Sequence, residues 1–370
     1  MDLGLTGKVA FVLGTRPEIV KLAPLIRLLP GRAAVVHTGQ HYDDQMSGAF
    51  FADCGLAAPE VTLRIGGLPR FAQIGRAVQE LGDLFADARP AAVVVQGDTN
   101  SALAGALAAN AHDVPLVHVE AGLRSRDRAM PEEHNRVLID HIADLLCAPT
   151  PENAENLRAE GIAESRIAVT GNTVVEALRA TLPTPVIREK LLTEVGVEAG
   201  RYVLATIHRP ENTDDTEALR AIGEQFAAIA ELGWPVVFPI HPRTRAALRK
   251  ADIRALPNGV IACEPLGYRD FLALAAECAL LVSDSGGIQE EATVLGRPLI
   301  VVRRSTERPE AMRDFATLVR PGPEIGAQAM RLLADSAALI ARLTALPSPY
   351  GDGTAAEQIK TLLLSDLLAA

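Results

Sequence analysis

Two kinds of side chain recur in this sequence where an α/β chain can do chemistry. Basic groups stand beside glycine turns, and carboxylates stand directly after short apolar runs. The run Ser283-Asp284-Ser285-Gly286-Gly287 follows the apolar Leu280–Val282 and precedes a helix-like stretch, Ile288 to Leu295. Such a turn leaves unpaired N–H groups at a helix N-terminus, where the dipole favours an anion and two glycines permit close approach, so it suits phosphate. Glu290 and Glu291 follow one turn in and leave the helix on different sides. A carboxylate there would repel phosphate but could accept two hydrogen bonds from a ribose diol. Arg308 arrives after the next apolar run and could neutralise a diphosphate. Arg16, Lys21 and His208 add basic groups at other strand ends, while Asp98, Glu120 and Glu132 supply carboxylates. Carboxylates suit proton transfer at carbon or oxygen where burial or like-charge crowding raises a pKa. Plainer alternatives exist: an ordinary turn with solvated acids, Lys21 as a solvated helix lysine, Asp98 as an N-cap, and Glu132 as a helix-dipole partner. Glu120, directly after an apolar strand, is harder to explain structurally.

These residues need strands to carry them. Val9–Leu13 reads as a strand, Gly14-Thr15-Arg16 as a turn, and Glu18–Leu29 as an amphipathic helix with Pro17 at its first position. The turn lacks the G-x-G-x-x-G fan of dinucleotide sites. Further strands are expected over Ala33–Thr38, ending at Gln40-His41, and over Ala91–Gln96, ending at Asp98. Pro115–Val119 should be another, ending at Glu120. From Tyr202 a second strand–helix series begins, with strand ends at His208, His241 and Glu264. Gly322 to Leu346 reads as one helix and Thr354–Leu368 as the last; the loop 181–185 is the best linker. Both halves alternate strand and helix with short turns. The fold class expected is therefore α/β, with two Rossmann-like doubly wound domains, residues 1–182 and 183–348, facing a cleft; 349–370 follow as a terminal helix. Ligands of such sheets sit at the carboxyl ends of the strands, where the charged residues fall.

Composition narrows the partners. A chain of 370 residues, 48% hydrophobic, has ample apolar material for two cores. The formal net charge of −10 argues against nucleic acid, so a phosphate ligand must be held by local groups. Cys54, Cys147, Cys263 and Cys278 are scattered with no C-x-x-C; Cys147, Cys263 and Cys278 lie in apolar runs, which predicts core thiols and a reducing compartment. No apolar run reaches the length of a membrane span, and no signal-like leader is read, so a cytoplasmic protein without a membrane partner is expected. His134 and His141 lie seven apart, and no histidine or cysteine cluster has metal-ligand spacing. There is no G-x-S-x-G, and Ser285 has no local base motif. A nucleotide sugar satisfies both the phosphate-binding and the proton-transfer groups.

The stretches that carry this chemistry resemble a known family. GTRPEIVKLAPL (14–25), TGQH (38–41), GDTNSALAGALAA (97–109), HVEAGLRS (118–125), PEEHNR (131–136), APT (148–150), GNTV (171–174), HRPEN (208–212), HPRT (241–244), SDSGGIQEEA (283–292), TERPEA (306–311) and PYGDG (349–353) are ordered and cover nearly the whole chain. Together they are similar to the non-hydrolysing UDP-N-acetylglucosamine 2-epimerases. The resemblance implies a fold of glycosyltransferase-B type, with the last helix crossing back to the first domain. It implies interconversion of UDP-GlcNAc and UDP-ManNAc without a cofactor or metal, through elimination of UDP to a 2-acetamidoglucal and its re-addition. It also implies a homodimer. Asp98, Glu120, Glu132 and His208 match the family's catalytic candidates. Arg16, Lys21, His41, Arg136, Arg209, Ser285, Gly286, Gly287, Glu291 and Arg308 match its substrate-binding positions, with Glu291 on the ribose.

Three departures mark a variant. HYDDQM (41–46) stands where bacterial members read closer to HREMLDQ, IHRPEN (207–212) where they read GHRRE, and Arg304 where an acid is usual. These resemble archaeal-type members and 2-epimerases of diacetamido uronic acid sugars. The first two fall near the site where regulated bacterial members bind an activating UDP-GlcNAc, so that activation is not expected here. Alternatives on the same residues are a related UDP-sugar as substrate, a hydrolysing 2-epimerase, a glycosyltransferase on the same fold, and a catalytically silent nucleotide-sugar sensor.

Overall fold

A computed structural model describes residues 4–40, 50–253 and 256–368. The chain divides into two compact units, one running up to Arg179 and resuming at Tyr350, the other spanning Ala180–Pro349.

Seven strands form the sheet of the first unit: β1 (Val9–Leu13), β2 (Ala33–His37), β3 (Val61–Thr62), β4 (Ala92–Gln96), β5 (Leu116–Val119), β6 (Leu145–Ala148) and β7 (Ile167–Val169). Their order is β3-β2-β1-β4-β5-β6-β7, and every pairing is parallel. A parallel sheet is covered on both faces, which is why its strands read as unbroken apolar runs such as VAFVL. The helices are α1 (Arg16–Arg27), α2 (Arg70–Asp87), α3 (Asn100–Ala111), α4 (Pro131–Ile142), α5 (Pro151–Ala159) and α6 (Val174–Thr181). Alanine-rich α3 lies close against the sheet: a Cβ on Gly105 would sit 2.9 Å from Val12 Cβ. Small residues are what that spacing admits.

The second unit begins with α7 (Pro185–Val195). It continues through β8 (Val203–Thr206), α8 (Pro210–Thr213), α9 (Thr216–Glu231), β9 (Val236–Pro239), α10 (Pro242–Lys250), β10 (Val260–Cys263) and α11 (Tyr268–Glu277). Then come β11 (Leu280–Ser283), α12 (Gly286–Leu295), β12 (Leu299–Val302), β13 (Ala316–Val319), α13 (Glu324–Leu333) and α14 (Ser336–Thr344). Its sheet has the order β10-β9-β8-β11-β12-β13, again all parallel. In each unit the strand order reverses once, between β1 and β4 and between β8 and β11. That switch point is where a doubly wound sheet leaves room for a ligand at its carboxyl edge.

The last helix, α15 (Ala355–Leu362), belongs to the first unit and packs on α1. Tyr350 accepts a hydrogen bond at its carbonyl from Asn172 N–H (2.8 Å), and Glu176 accepts one from Ala356 N–H (2.7 Å), capping the new helix. Two expectations need correction. Gly322–Leu346 is not one helix: Asp335 leaves helical geometry (φ −141°) and its carboxylate accepts Ala338 N–H, so α13 stops and α14 starts afresh. The terminal helix also closes earlier than expected, passing after Leu362 into a wider π-type turn.

Candidate active site

In the second unit the candidate residues stand on two adjacent strand ends. His208 and Arg209 follow β8, and Asp284 and Ser285 follow β11. Asp284 is fully buried. Its oxygens accept from His208 N–H at 3.0 Å, Arg209 N–H at 2.8 Å and Asn212 Nδ2 at 2.9 Å, and His208 Nδ1 lies 3.1 Å away. Burial alone would raise the Asp284 pKa; the His208 side chain, Asn212 and the Arg209 N–H outweigh it and hold the carboxyl below its ordinary range. Ser285 is the N-cap of α12, and Gly286 and Gly287 open the helix. The two glycines differ in purpose. A Cβ on Gly286 would fall 2.8 Å from Arg308 Nη1 and 2.9 Å from Glu307 Oε1, whereas one on Gly287 would meet no heavy atom within 4 Å. The first makes room for an arginine; the second leaves the backbone open to a ligand.

Arg308 itself is buried. Its Nε donates to Glu290 Oε1 (2.8 Å), its Nη1 to Glu307, and its N–H to Thr306 Oγ1 (3.0 Å). Two carboxylates therefore already share this guanidinium. Arg303, buried directly after β12, lies 3.0 Å from Glu307, and burial is the chief cause pushing its pKa down. Glu290 and Glu291 do face different ways: the first meets Arg308, while the second accepts from Tyr268 Oη at 3.0 Å.

The first unit carries the other group. Glu120 stands one residue past β5, buried, with a left-handed backbone (φ +70°). A non-glycine residue is rarely found there, and such strain persists only where surrounding contacts impose it. Those contacts are visible: Lys21 Nζ, Gln96 Nε2 (3.0 Å) and Asn172 Nδ2 (3.1 Å) all donate to Glu120 Oε2. Lys21 is thus no solvated helix lysine; it is buried and paired to Glu120. Asp98, after β4, is not the N-cap of α3. Thr99 takes that role, with its hydroxyl accepting Ala102 N–H at 2.9 Å. The Asp98 carboxylate is instead gripped by the Nε and Nη2 of buried Arg136. Glu132 is half-buried in the first turn of α4. Arg16 opens α1, with its guanidinium 5.5 Å from the centre of the Phe50 ring. His41 lies outside the described residues. Among those described, no group of three or more His, Cys, Asp or Glu has the geometry of a metal site, and no helix is long and apolar enough to cross a membrane.

Residues 31–364 match the family model for UDP-N-acetylglucosamine 2-epimerase. The UDP-N-acetylglucosamine 2-epimerase of Methanocaldococcus jannaschii is 40% identical over 369 residues, covering 96% of this chain and 98% of its own. The chain belongs to the UDP-N-acetylglucosamine 2-epimerase family. Its fold agrees with the crystal structure of the M. jannaschii enzyme in complex with UDP-GlcNAc and UDP, at TM-score 0.85 and 38% identity, over 96% of this chain and 99% of that one. The expected fold class, two Rossmann-like doubly wound sheets of the glycosyltransferase-B type, therefore stands. Similarity of the same order, 38% over 311 residues, links the chain to the UDP-2,3-diacetamido-2,3-dideoxy-D-glucuronate 2-epimerase of Pseudomonas aeruginosa, over 81% of this chain and 84% of that one.

For a member of this family, several well-placed residues escaped the sequence reading. Gln96 and Asp284 are the polar last or next residues of buried strands, the same signal that singled out Glu120. Glu18 is another. Fully enclosed in the first turn of α1, it accepts Gly14 N–H (3.0 Å) and Thr99 Oγ1–H (2.7 Å), so it ties the turn after β1 to the turn after β4. Burial pushes its pKa up to about 7. Beneath Asp98 and Glu120, His118 stands on β5 with no exposure. Its Nδ1 lies 2.6 Å from Asp140 and its Nε2 2.9 Å from the Gly97 carbonyl. Asp140 also pairs with Arg124 (2.7 Å); burial raises its pKa, but His118 and Arg124 prevail and hold it down. Glu133, not Glu132, organises the preceding loop, accepting from Ser125 N–H (2.9 Å) and Arg126 N–H (2.7 Å).

Proposed function

We propose that this chain interconverts UDP-N-acetylglucosamine and UDP-N-acetylmannosamine at C2, as a non-hydrolysing 2-epimerase. The observation that carries the proposal is Glu120: a buried carboxylate in a left-handed backbone, with Lys21, Gln96 and Asn172 converging on one of its oxygens. Three donors on one carboxylate at a strand end, above a left-handed backbone, support a role for it beyond packing.

The chemistry needs three things. A base takes the C2 proton while the C1–O bond breaks, its electron pair leaving with UDP and a 2-acetamidoglucal remaining. UDP then re-adds at C1 as a proton returns to C2 from the opposite face. Asp98, Glu120 and Glu132 are the proposed acids and bases. They differ in setting: Asp98 is forked by Arg136, Glu120 is held by Lys21 and two amides, and Glu132 is partly exposed. Different settings are what separates an acid from a base among like groups. The departing diphosphate gathers negative charge, for which the Ser285 side chain and the N–H groups of Gly286 and Gly287 at α12, together with His208, Arg209 and Arg16, are the proposed partners; the Ser285 N–H itself donates to Ser283 Oγ at 3.0 Å. Lys21, Arg136 and Arg308 act through the carboxylates they hold. Glu291, presented beside Tyr268, is proposed for the ribose, and His41 as a further substrate-binding residue.

The domains are proposed at residues 1–182 and 183–348, with 349–370 rejoining the first. The cytoplasm is the proposed compartment, on the strength of four unpaired cysteines of which three are buried. A homodimer is proposed from family membership alone. A second reading takes a diacetamido uronic acid UDP-sugar as substrate: the P. aeruginosa relative is nearly as similar as the M. jannaschii one, and Arg304 is exposed beside buried Arg303. Proton NMR of the protein with UDP-GlcNAc in D₂O separates the readings. UDP-ManNAc with deuterium at C2 of both epimers is expected. Free ManNAc with UDP would move the chain to a hydrolysing activity, and an unchanged spectrum would move it to the uronic acid sugar.

A further inference from the structure

His208 has two ring nitrogens with opposite surroundings. Nδ1 lies 3.1 Å from Oδ1 of Asp284, a carboxylate with no exposure. The other side of the ring is toward solvent, the side chain being 35% exposed. Asp284 stays in its charged form, so it has no proton to offer and Nδ1 must be the donor. The neighbouring imidazole shows that this arrangement is not imposed by the strand ends. His241, after β9, has its ring centre 5.3 Å away, yet its Nδ1 accepts Arg243 N–H (3.2 Å) to cap α10, and so carries its proton on Nε2. Two adjacent histidines thus hold opposite tautomers.

The charge on Asp284 also asks for a cause. Holding the turn needs only acceptors for the N–H groups of His208 and Arg209 and the Asn212 amide, which a neutral group could supply in large part. Burying a full carboxylate is costly unless donors meet it, and beside the two N–H groups and the Asn212 amide the further donor placed to meet it is His208 Nδ1, 3.1 Å away.

We infer that Asp284 is a positioning residue for the epimerase reaction: it accepts from Nδ1–H of His208 and holds the ring in one orientation, so that Nε2, on taking up a proton as the diphosphate arrives, donates that N–H to a diphosphate oxygen as the C1–O bond breaks. The inference rests on the epimerase reading of this site. It gives Asp284 a role through His208 and no contact with the sugar, as in other histidine–carboxylate pairs where the carboxylate sets the tautomer.

The test joins a spectrum to a mutant cycle. In wild type, ¹⁵N-resolved NMR of the imidazoles should show His208 protonated on Nδ1 and His241 on Nε2, assigned by loss of each signal in H208N and H241N. Asp284→Asn should lose the Nδ1–H form of His208 and lower kcat by roughly 10²-fold or more, with a much smaller change in KM. His208→Asn keeps a donor for Asp284 while removing Nε2, so adding D284N to H208N should cost almost nothing further. Additive losses in the double variant would overturn the inference, because Asp284 would then act by holding the turn. So would a wild-type His208 protonated on Nε2, and that result is readable even if D284N does not fold. Full epimerase activity in H208N would likewise overturn the inference; failure of the underlying reading looks different, with no epimerisation by wild type and the tautomer as described.

Discussion

Glu18 makes the stability of the first unit depend on pH, in a direction opposite to that of the paired carboxylates Asp140 and Asp284. Its pKa rises from 4.5 to about 7 because burial disfavours the charged form more than Thr99, Gly14 and Thr15 favour it. The folded chain therefore keeps a proton that the unfolded chain has already released. Stability from this group is fully present below the unfolded pKa, declines as pH rises, and levels off above the folded pKa. The difference reaches ~1.4 kcal/mol per pH unit in the middle of the window. Between about pH 5 and pH 8 the loss comes to about 2.5 kcal/mol. Glu18→Gln copies the shape of the protonated acid and cannot ionise. It should be more stable than wild type by about 1 kcal/mol near pH 5 and by about 3.3 kcal/mol near pH 8, so the gap widens by about 2.5 kcal/mol, or about 1 M in urea midpoint for a slope of roughly 2.5 kcal/mol/M. Urea unfolding followed by far-UV circular dichroism is the assay. The single tryptophan, Trp234, lies in the second unit, so its fluorescence separates that unit's transition from the one of interest. Wild-type and E18Q midpoints that stay parallel across this range would refute the reasoning.

Asp98→Asn, Glu120→Gln and Glu132→Gln should each lower kcat by at least ~10²-fold with UDP affinity retained, as read by steady-state kinetics and calorimetry; three wild-type rates would sink the proposed mechanism. The glycines of α12 separate packing from binding. Gly286→Ala, whose Cβ would crowd Arg308, should lower both the melting temperature and UDP affinity. Gly287→Ala meets open space and favours the helix by about 0.5–1 kcal/mol, so it should melt no lower than wild type while weakening UDP by roughly tenfold or more. An unchanged UDP Kd in G287A would show that no ligand approaches that backbone.

The strands and the ends of the strands were legible in the sequence; the partners waiting there were not. Short Val- and Ile-rich runs followed by a polar residue announce a parallel sheet and its carboxyl edge, and that is enough to find Asp98, Glu120 and His208. What Lys21 does depends on a residue 99 positions away, and what Asp98 does depends on Arg136, 38 positions on. Separation of that kind is set by tertiary packing, and each residue alone fits a plain surface role. The plain roles in fact belong to neighbours: Thr99 is the cap that Asp98 could have been, and Glu133 is the first-turn acid that binds backbone N–H groups. The break at Asp335 was readable in principle, since an aspartate can cap a new helix within an apolar run, but the apolar face continues across it and the periodicity hides the stop.

The return of the chain to its first unit at Tyr350 sets a schedule. Asn172, whose amide steadies Glu120, is itself hydrogen-bonded through its backbone to the Tyr350 carbonyl. During synthesis all of Ala180–Pro349 leaves the ribosome between these two residues, a delay on the order of ten seconds or more at cellular rates. For that interval the nascent first unit holds its sheet without the brace behind its central carboxylate. The brace behind Glu120 forms only after Tyr350 has emerged, so a chain cut short before Tyr350 is expected to keep the first sheet and to lose the hydrogen bond that steadies Asn172.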